Sequence, residues 1–242
     1  MKLVAMMSFW DEKPAWLSTV VSSAAAAGCN HIVCVDGPYA LLSLTRSSSG
    51  VEQHDAIIRA ANVAGIGLTL HVPDSPFVGN EVEKRSLMFR LALEITSEDD
   101  WLLSVDADMP VSKALGLRRR LEETDLNAAE VTLMDSGSRQ SIRLLFRAMR
   151  GLEVADTHFN YRYPIGDSWS YLWGNRPLEP ALQLHDITVE HWTDDRDPVR
   201  KAEQVKYYDR RDSLGIESSD VLFEGVDGKL VKLKGKQCQS GA

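Results

Sequence analysis

The sequence predicts an α/β protein: a mixed, mainly parallel sheet flanked by helices, in a single domain. Three observations carry that expectation. Short, nearly unbroken apolar runs, led by Trp101 to Val105, read as strands buried on both faces. Stretches with apolar residues at helical spacing alternate with them. Two of the runs end abruptly in an acid, Asp36 and Asp106, as strands do when their carboxyl ends face a polar ligand. The 242 residues suffice for one sizeable core, and no Gly/Pro/Ser linker of domain-separating length interrupts them.

In chain order, Leu3 to Met7 reads as a first buried strand. The loop Ser8 to Lys13 leads into a helix opened by Pro14, a residue suited to the first helical turn. Trp16, Val20, Ala24 and Ala27 recur at helical spacing, and Gly28 follows as a C-cap. His31 to Val35 is a second strand, turned by Gly37-Pro38. This β-α-β unit has neither G-x-G-x-x-G nor G-x-x-x-x-G-K-[ST], which counts against a Rossmann dinucleotide site and a P-loop. Leu42 to Gly50 reads as a polar loop, Val51 to Ala64 as a helix closed by Gly65, and Leu68 to Val72 as a third strand. Asn80 and Glu83 resemble a capping box opening a helix to about Thr96, with Leu87, Leu91 and Ile95 as its apolar stripe. After the strand Trp101 to Val105 and the stop at Pro110, Ser112 caps a helix to about Glu123. Ala129 to Met134 and Ser141 to Phe146 are strand-like, and His158 to Trp173 is an irregular aromatic region. Leu182 to Trp192 reads as a strand and Asp197-Pro198 opens a helix to about Arg211. Val221 to Lys234 suggests a hairpin about Asp227-Gly228.

The bulk properties narrow the function. A net charge of -8 argues against non-specific binding to nucleic acid or an anionic membrane, which needs a surplus of Lys and Arg. Cys29, Cys34 and Cys238 have neither zinc spacing nor an even count, and they read as reduced thiols of a cytoplasmic protein. No apolar run approaches ~20 residues, so no integral membrane segment is expected.

The chemistry centres on Asp106-Ala107-Asp108. Alone, Asp-x-Asp is common in surface turns, but here it directly follows a buried strand and precedes a Pro stop. Two ionised carboxylates this close call for a cation between or beside them, and Mg²⁺ or Mn²⁺ with a diphosphate is the usual solution.

Several stretches, taken in order, resemble glycosyltransferases of the GT-A fold, particularly small family-2-like members from bacteria and bacteriophages. These are Leu3 to Glu12, the strand ending at Asp36, Glu83-Lys84-Arg85 opening a helix, and Trp101 to Asp108. Further on come Arg143 to Arg147 before His158, and Ile187 to His191 before Arg196, Arg200, Tyr207, Tyr208 and Arg210. The resemblance spans roughly residues 1–212 and leaves 213–242 as an extension. It implies a GT-A-like, Rossmann-like sheet and a metal-dependent enzyme that moves a sugar from a nucleotide diphosphate sugar to an acceptor. That acceptor is open among protein, glycan, lipid carrier and modified base. Residue by residue, Ser8, Phe9 and Asp36 are similar to the pocket for base and ribose, and Lys84 to the basic residue beside the donor. Asp106 is similar to the carboxylate that meets ribose or sugar, Asp108 to the direct metal ligand, and His191 to the late metal-binding histidine, with Mn²⁺ or Mg²⁺ implied. His185, on the same expected face as His191, is the lesser candidate, and His158 is a minor one. The family's Glu-Asp pair that supplies a general base is missing, and Asp167, with Asp156 behind it, is the substitute by order.

Two other readings compete. A haloacid-dehalogenase-type phosphatase also uses Asp-x-Asp after a buried strand, but at the first strand and with Thr or Val where Pro110 stands here. A catalytically inactive nucleotide-sugar-binding module would explain the missing base.

Overall fold

Alternation along one strand sets up the layers. In β1 (Leu3–Ser8), Leu3, Ala5 and Met7 face one apolar cluster and Val4 and Met6 face another, and all five are fully buried. A strand buried on both faces cannot alternate polar with apolar residues, which is why it reads as a continuous apolar run. The computed structural model describes residues 1–42, 46–78, 80–155, 160–192, 198–215, 221–224 and 230–233.

β1 lies parallel between β2 (His31–Val35) and β4 (Trp101–Asp106), with Met6 opposite both Val33 and Ser104. The remaining strands of the large sheet are β3 (Gly67–His71), β5 (Val111–Lys113), β6 (Ala128–Asp135), β7 (Ser138–Arg147) and β11 (Leu182–His191). Their order is β3-β2-β1-β4-β7-β6-β11-β5. β7 runs antiparallel to both β4 and β6, and β5 antiparallel to β11, while the other pairs are parallel. The result is the mixed, mainly parallel, Rossmann-like sheet that the sequence predicts. Helices α1 (Pro14–Ala26) and α2 (Val51–Ala64) supply Leu17, Val20 and Ile57 to the first cluster. The second cluster gathers α3 (Asn80–Leu93) and a separate three-stranded sheet.

That small sheet corrects the expectation of an irregular aromatic region. β8 (Glu153–Val154), β9 (Tyr161–Ile165) and β10 (Ser168–Trp173) pair antiparallel, and β9 and β10 are joined by the two-residue turn Gly166-Asp167. Gly166 adopts φ +55°, the positive value that the first central position of a II′ hairpin turn requires. Pro164 inside β9 lowers the strand signal there, because it cannot donate to a ladder.

Three further expectations are corrected. Ser112 lies in β5 rather than capping a helix, and α4 spans only Leu117–Glu122. In α3 the fully buried apolar positions are Met88, Phe89 and Ala92, with Leu87, Leu91 and, just past the helix end, Ile95 only partly buried against them. In β11 the pairing with β6 jumps from Leu184↔Val131 to Thr188↔Thr132. The extra residues break the pleat, so His185 is exposed, its carbonyl accepting from Thr132 and Arg139, and it does not share a regular face with His191. The last helix is α5 (Pro198–Ser213), followed by the pair β12 (Val221–Glu224) and β13 (Leu230–Leu233). The expected ends of that hairpin pair as anticipated, while its turn, Asp156, His158, Arg196 and the Arg200 side chain lie outside what is described.

The buried Asp100 clamps the start of the central strands. Its carboxylate accepts from the Lys2 amide at 2.5 Å, the Ser97 amide at 2.9 Å and the Ser97 hydroxyl at 3.0 Å. Burial pushes its pKa up, but the bonds from Ser97 and Lys2 outweigh that and hold it below the ordinary carboxyl value. The stability contributed by this clamp is therefore present above the unfolded carboxyl pKa and lost as pH falls through the lower folded value. Asp100→Asn is expected to lower the urea midpoint at pH 7, and the gap to wild type should close on acidification below pH ~4. Cys29 and Cys34 are free and buried; burial pushes the Cys29 thiol up to about 12, and Cys34 upward as well. Neither should react with a thiol-disulfide reagent at pH 8 until the chain is unfolded, so an Ellman titration is expected to gain at least two equivalents in denaturant.

Candidate active site

The strand order places a switch point between β1 and β4: the chain moves outward through β2 and β3 on one side and through β7 on the other. Crevices of open α/β sheets form at the carboxyl ends of strands at such a point. A cleft of about 200 Å³ opens there. Its floor is Ser8 and Phe9 after β1, Gly37 and Pro38 after β2, and Asp106 and Ala107 at the end of β4. One wall is the first turns of α3 with Glu81, Lys84 and Arg85, and the facing wall is aromatic, from Tyr39 with Tyr207 and Tyr208 of α5. The Tyr39 and Tyr207 rings are 5.4 Å apart, and the contact of Tyr207 with Ala40 and Leu41 seats α5 against the cleft.

Alternation decides where Asp106 points. Trp101, Leu103 and Val105 face the α1/α2 layer, so Leu102, Ser104 and Asp106 fall on the α3 side. There the Arg85 guanidinium donates from Nη2 to Asp106 Oδ1 at 2.8 Å. Burial lowers the arginine's pKa, but the Asp106 charge, the nearby Tyr161 and Tyr39 hydroxyls and the hydrogen bond to Asp106 together outweigh it and raise it.

Of the residues expected to bind a nucleotide sugar, Ser8, Phe9, Lys84 and Asp106 line the cleft. Their roles differ in detail. Phe9 is 3% exposed, its side chain packed in the first core cluster. Lys84 is 2% exposed and its ammonium donates to the carbonyls of Phe9 and, at 2.7 Å, Gly37. It ties together the loops after β1 and β2, and the cation that reaches Asp106 is its neighbour Arg85.

Asp36 does not line the cleft. It is fully buried, with Oδ1 accepting from the Gly37 amide and the Ser49 hydroxyl, both at 2.6 Å. Oδ2 accepts from the Ser49 amide at 2.7 Å and meets His54 Nε2 at 2.6 Å. Four internal partners use the carboxylate to fix the backbone that turns at Gly37. That turn needs glycine: φ is +108°, and a Cβ would sit 2.5 Å from Pro73 Cγ.

Asp108 and His191 come together. Asp108, 1% exposed, follows β4, and His191 ends β11; Asp108 Oδ2 and His191 Nε2 are 3.5 Å apart. On the other side of the ring, Nδ1 lies 3.5 Å from Asp135 Oδ1 at the end of β6. Backbone bonds lock these ends: the Glu190 amide donates to the Pro110 carbonyl and the Trp192 amide to the Asp108 carbonyl, both at 3.0 Å. The Asp108 carboxylate beside the ring raises the His191 pKa against the effect of burial, and the charges of Asp135 and Asp106 add to the rise. Among the described residues no three His, Cys, Asp or Glu side chains converge closely enough to hold a metal ion by themselves. Asp108 and His191 could offer a cation one carboxylate and one imidazole, with the other ligands coming from outside the described residues.

Asp167 stands at the exposed tip of the β9–β10 turn, outside the cleft lining. Tyr39 and Asp135 were not singled out from the sequence, and Arg85 was named only within Glu83-Lys84-Arg85, with the donor contact given to Lys84. Arg85 adjoins Lys84, and α3's first turns could have pointed to either cation, but nothing in the local pattern of Tyr39 or Asp135 marks them.

No family model and no curated protein matches the chain. Among solved structures it is similar to the crystal structure of S. aureus TarS, 14% identical over 58% of this chain and 23% of that one, with TM-score 0.40. It is also similar to that of mannose-6-phosphate isomerase from Helicobacter pylori, 8% identical over 56% of this chain and 52% of that one, with TM-score 0.34. The chain thus matches about a quarter of the first protein and half of the second. Likenesses this distant carry no argument about chemistry. Among the described residues no helix is long and apolar enough to cross a membrane.

The Asp36 network makes a testable distinction. Removing a buried, multiply bonded carboxylate leaves its donors unsatisfied, at a cost of about 3 kcal/mol. Asp36→Ala is expected to lose about that much in urea unfolding, whereas Asp106→Asn, at a half-exposed position, should change stability by less than ~1 kcal/mol.

Proposed function

We propose that the protein is a metal-dependent glycosyltransferase that takes a sugar from a nucleoside diphosphate donor. The reading rests on one observation, the Asp108 carboxylate and the His191 imidazole 3.5 Å apart beyond the carboxyl end of β4; neither lines the cleft, whose floor ends at the neighbouring Asp106 and Ala107. A hard oxygen and a borderline nitrogen suit Mn²⁺ well and Mg²⁺ acceptably. Bound there, the ion would act as a Lewis acid on the leaving diphosphate.

The chain's own groups divide the rest of the work. Asp135 beside Nδ1 orients His191 so that Nε2 faces Asp108, the arrangement that fixes a ligating histidine. Arg85 supplies positive charge next to Asp106, where a diphosphate would need it. Asp106 remains an acceptor for a donor hydroxyl, and the Tyr39, Tyr207 and Tyr208 wall offers ring faces and apolar surface to a base.

One observation favours a second reading, a nucleotide-sugar-binding module without turnover: Asp167, the candidate base, stands on an exposed turn outside the cleft. Release of nucleoside diphosphate from a nucleotide sugar separates the two readings, since the module would bind without releasing it.

Calorimetry of UDP, GDP, dTDP and ADP, each with and without Mn²⁺, is expected to give tight binding of one base only when metal is present. Asp108→Ala should abolish that metal dependence, and His191→Ala should weaken Mn²⁺ affinity at least ~10-fold, with His185→Ala near wild type. Unchanged Mn²⁺ dependence in Asp108→Ala would remove the assignment.

A further inference from the structure

The large sheet ends on one side at β3 and on the other at β5. Native sheets blunt such edges with very short strands, charges, prolines or bulges, because an open ladder is a template for pairing with another chain. β5 follows that rule: it is three residues long and carries Lys113. β3, Gly67-Leu68-Thr69-Leu70-His71, does not, having no Lys, Arg, Asp, Glu or Pro and a regular register against β2. All of its residues are partly exposed, whereas β1, β2 and β4 are almost wholly buried. The direction of its backbone groups follows from its bonds to the sheet. The Gly67 amide donates to the Asn30 carbonyl at 2.9 Å, and the His71 carbonyl accepts from the Asp36 amide at 3.0 Å. Thr69, opposite Val33, is in phase with both. The amides and carbonyls of Leu68 and Leu70 therefore point to the free edge, where no described strand pairs with them. The side chains of Ile66, Leu68 and Leu70 pack partly buried against the first core cluster, and Val72, 42% exposed, continues their alternation. Outward from Thr69 the chain thus offers a leucine and then a β-branched residue in both directions.

We propose that β3 pairs antiparallel with β3 of a second copy of this chain, about a two-fold axis at Thr69, so that the two large sheets become one. In that register Leu68 of one copy lies opposite Leu70 of the other, and each such pair exchanges both of its N–H···O bonds. The outward groups of both leucines are then used, and this register alone matches the whole of β3 in each copy. The occupant is a second copy because the strand complements itself. Leucine meets leucine on the α1/α2 side of the sheet, no charge meets its like, and Thr69 lies beside Thr69 across the axis, a favourable cross-strand pair. The same patch on both copies closes the assembly at a dimer, leaving no edge of this kind to propagate. The axis is perpendicular to the sheet, so the α2 helices of the two copies share one side and the α3 helices the other. The strands of the two copies run in opposite directions, so the clefts at their carboxyl ends face away from each other. β3 contributes no residue to the cleft, and the inference is independent of the function proposed for it.

Sedimentation velocity of the full chain across the micromolar range is expected to show a monomer–dimer equilibrium, since a short edge interface associates weakly. A monomer throughout that range would overturn the proposal. Thr69→Lys and Thr69→Glu each set two like charges on Cα atoms about 4.5 Å apart across the axis, and each is expected to weaken the dimer about tenfold or more. Mixed in equal amounts, the two variants should recover a heterodimer at least as tight as the wild-type dimer, because opposite charges then meet. Either variant dimerising alone at wild-type strength, or a mixture no more associated than its components, would remove the interface from this edge. Thr69 Oγ1 is 2.9 Å from His31 Nε2, so the variants lose one internal bond, and a measurement on the wild type covers the case in which they fail to fold. The Leu68 and Leu70 amides should exchange hydrogen more slowly at high protein concentration than at low, while the Thr69 amide, which faces β2, changes little. Exchange at both leucines that is independent of concentration would equally overturn the pairing.

Discussion

Burial of the central strands on both faces is the constraint from which the rest of the molecule follows. β1 and β4 each divide their side chains between two apolar layers, and neither can tolerate a charge until it leaves the sheet. In β4 that division continues to the last residue, so Asp106 emerges on the α3 side beside Arg85, while Asp108, past the turn, emerges toward β11 and His191. Two carboxylates with one residue between them thus serve two different neighbourhoods. The cleft is lined by the first of these carboxylates and the histidine pairs with the second.

The parts legible in the sequence were those where local pattern and tertiary burial agree. β1, β2 and β4 are unbroken apolar runs, and α2 begins at Val51 and ends at a left-handed Gly65 as its pattern indicates. The misses share a cause, which is that burial was decided by partners far away in the chain. α3 is covered on one side by the large sheet and on another by the small one, so its buried face includes Lys84, which no apolar stripe would contain. Ser112 has the composition of a helix cap, but the edge of β11 recruits it into a three-residue strand. β9 contains Pro164, and the hairpin forms regardless because Tyr161 and Tyr163 pack into the second core.

The site was legible to a similar degree. The family resemblance suggested that Asp108, two residues past β4, and His191, at the end of β11, belong together. It could not show that Asp36, which closes a strand in the same way, spends its carboxylate on Gly37, Ser49 and His54. A strand-end acid has the same one-dimensional signature whether it faces a ligand or a loop, and only the positions of its donors distinguish the two. Lys84 and Arg85 make the same point as neighbours: one bonds backbone carbonyls and the other bonds Asp106, because successive residues of a helix point about 100° apart.

The amides of Glu190 and Trp192, bonded to the carbonyls of Pro110 and Asp108, have an effect on timing as well as on shape. Because main-chain ladder bonds hold the turn after β4 against the end of β11, the loss of freedom needed to bring an acid and an imidazole together is met when the chain folds. A ligand arriving at this edge meets side chains already in place, and the ordering that remains is confined to its own atoms and to the longer side chains of the opposite wall.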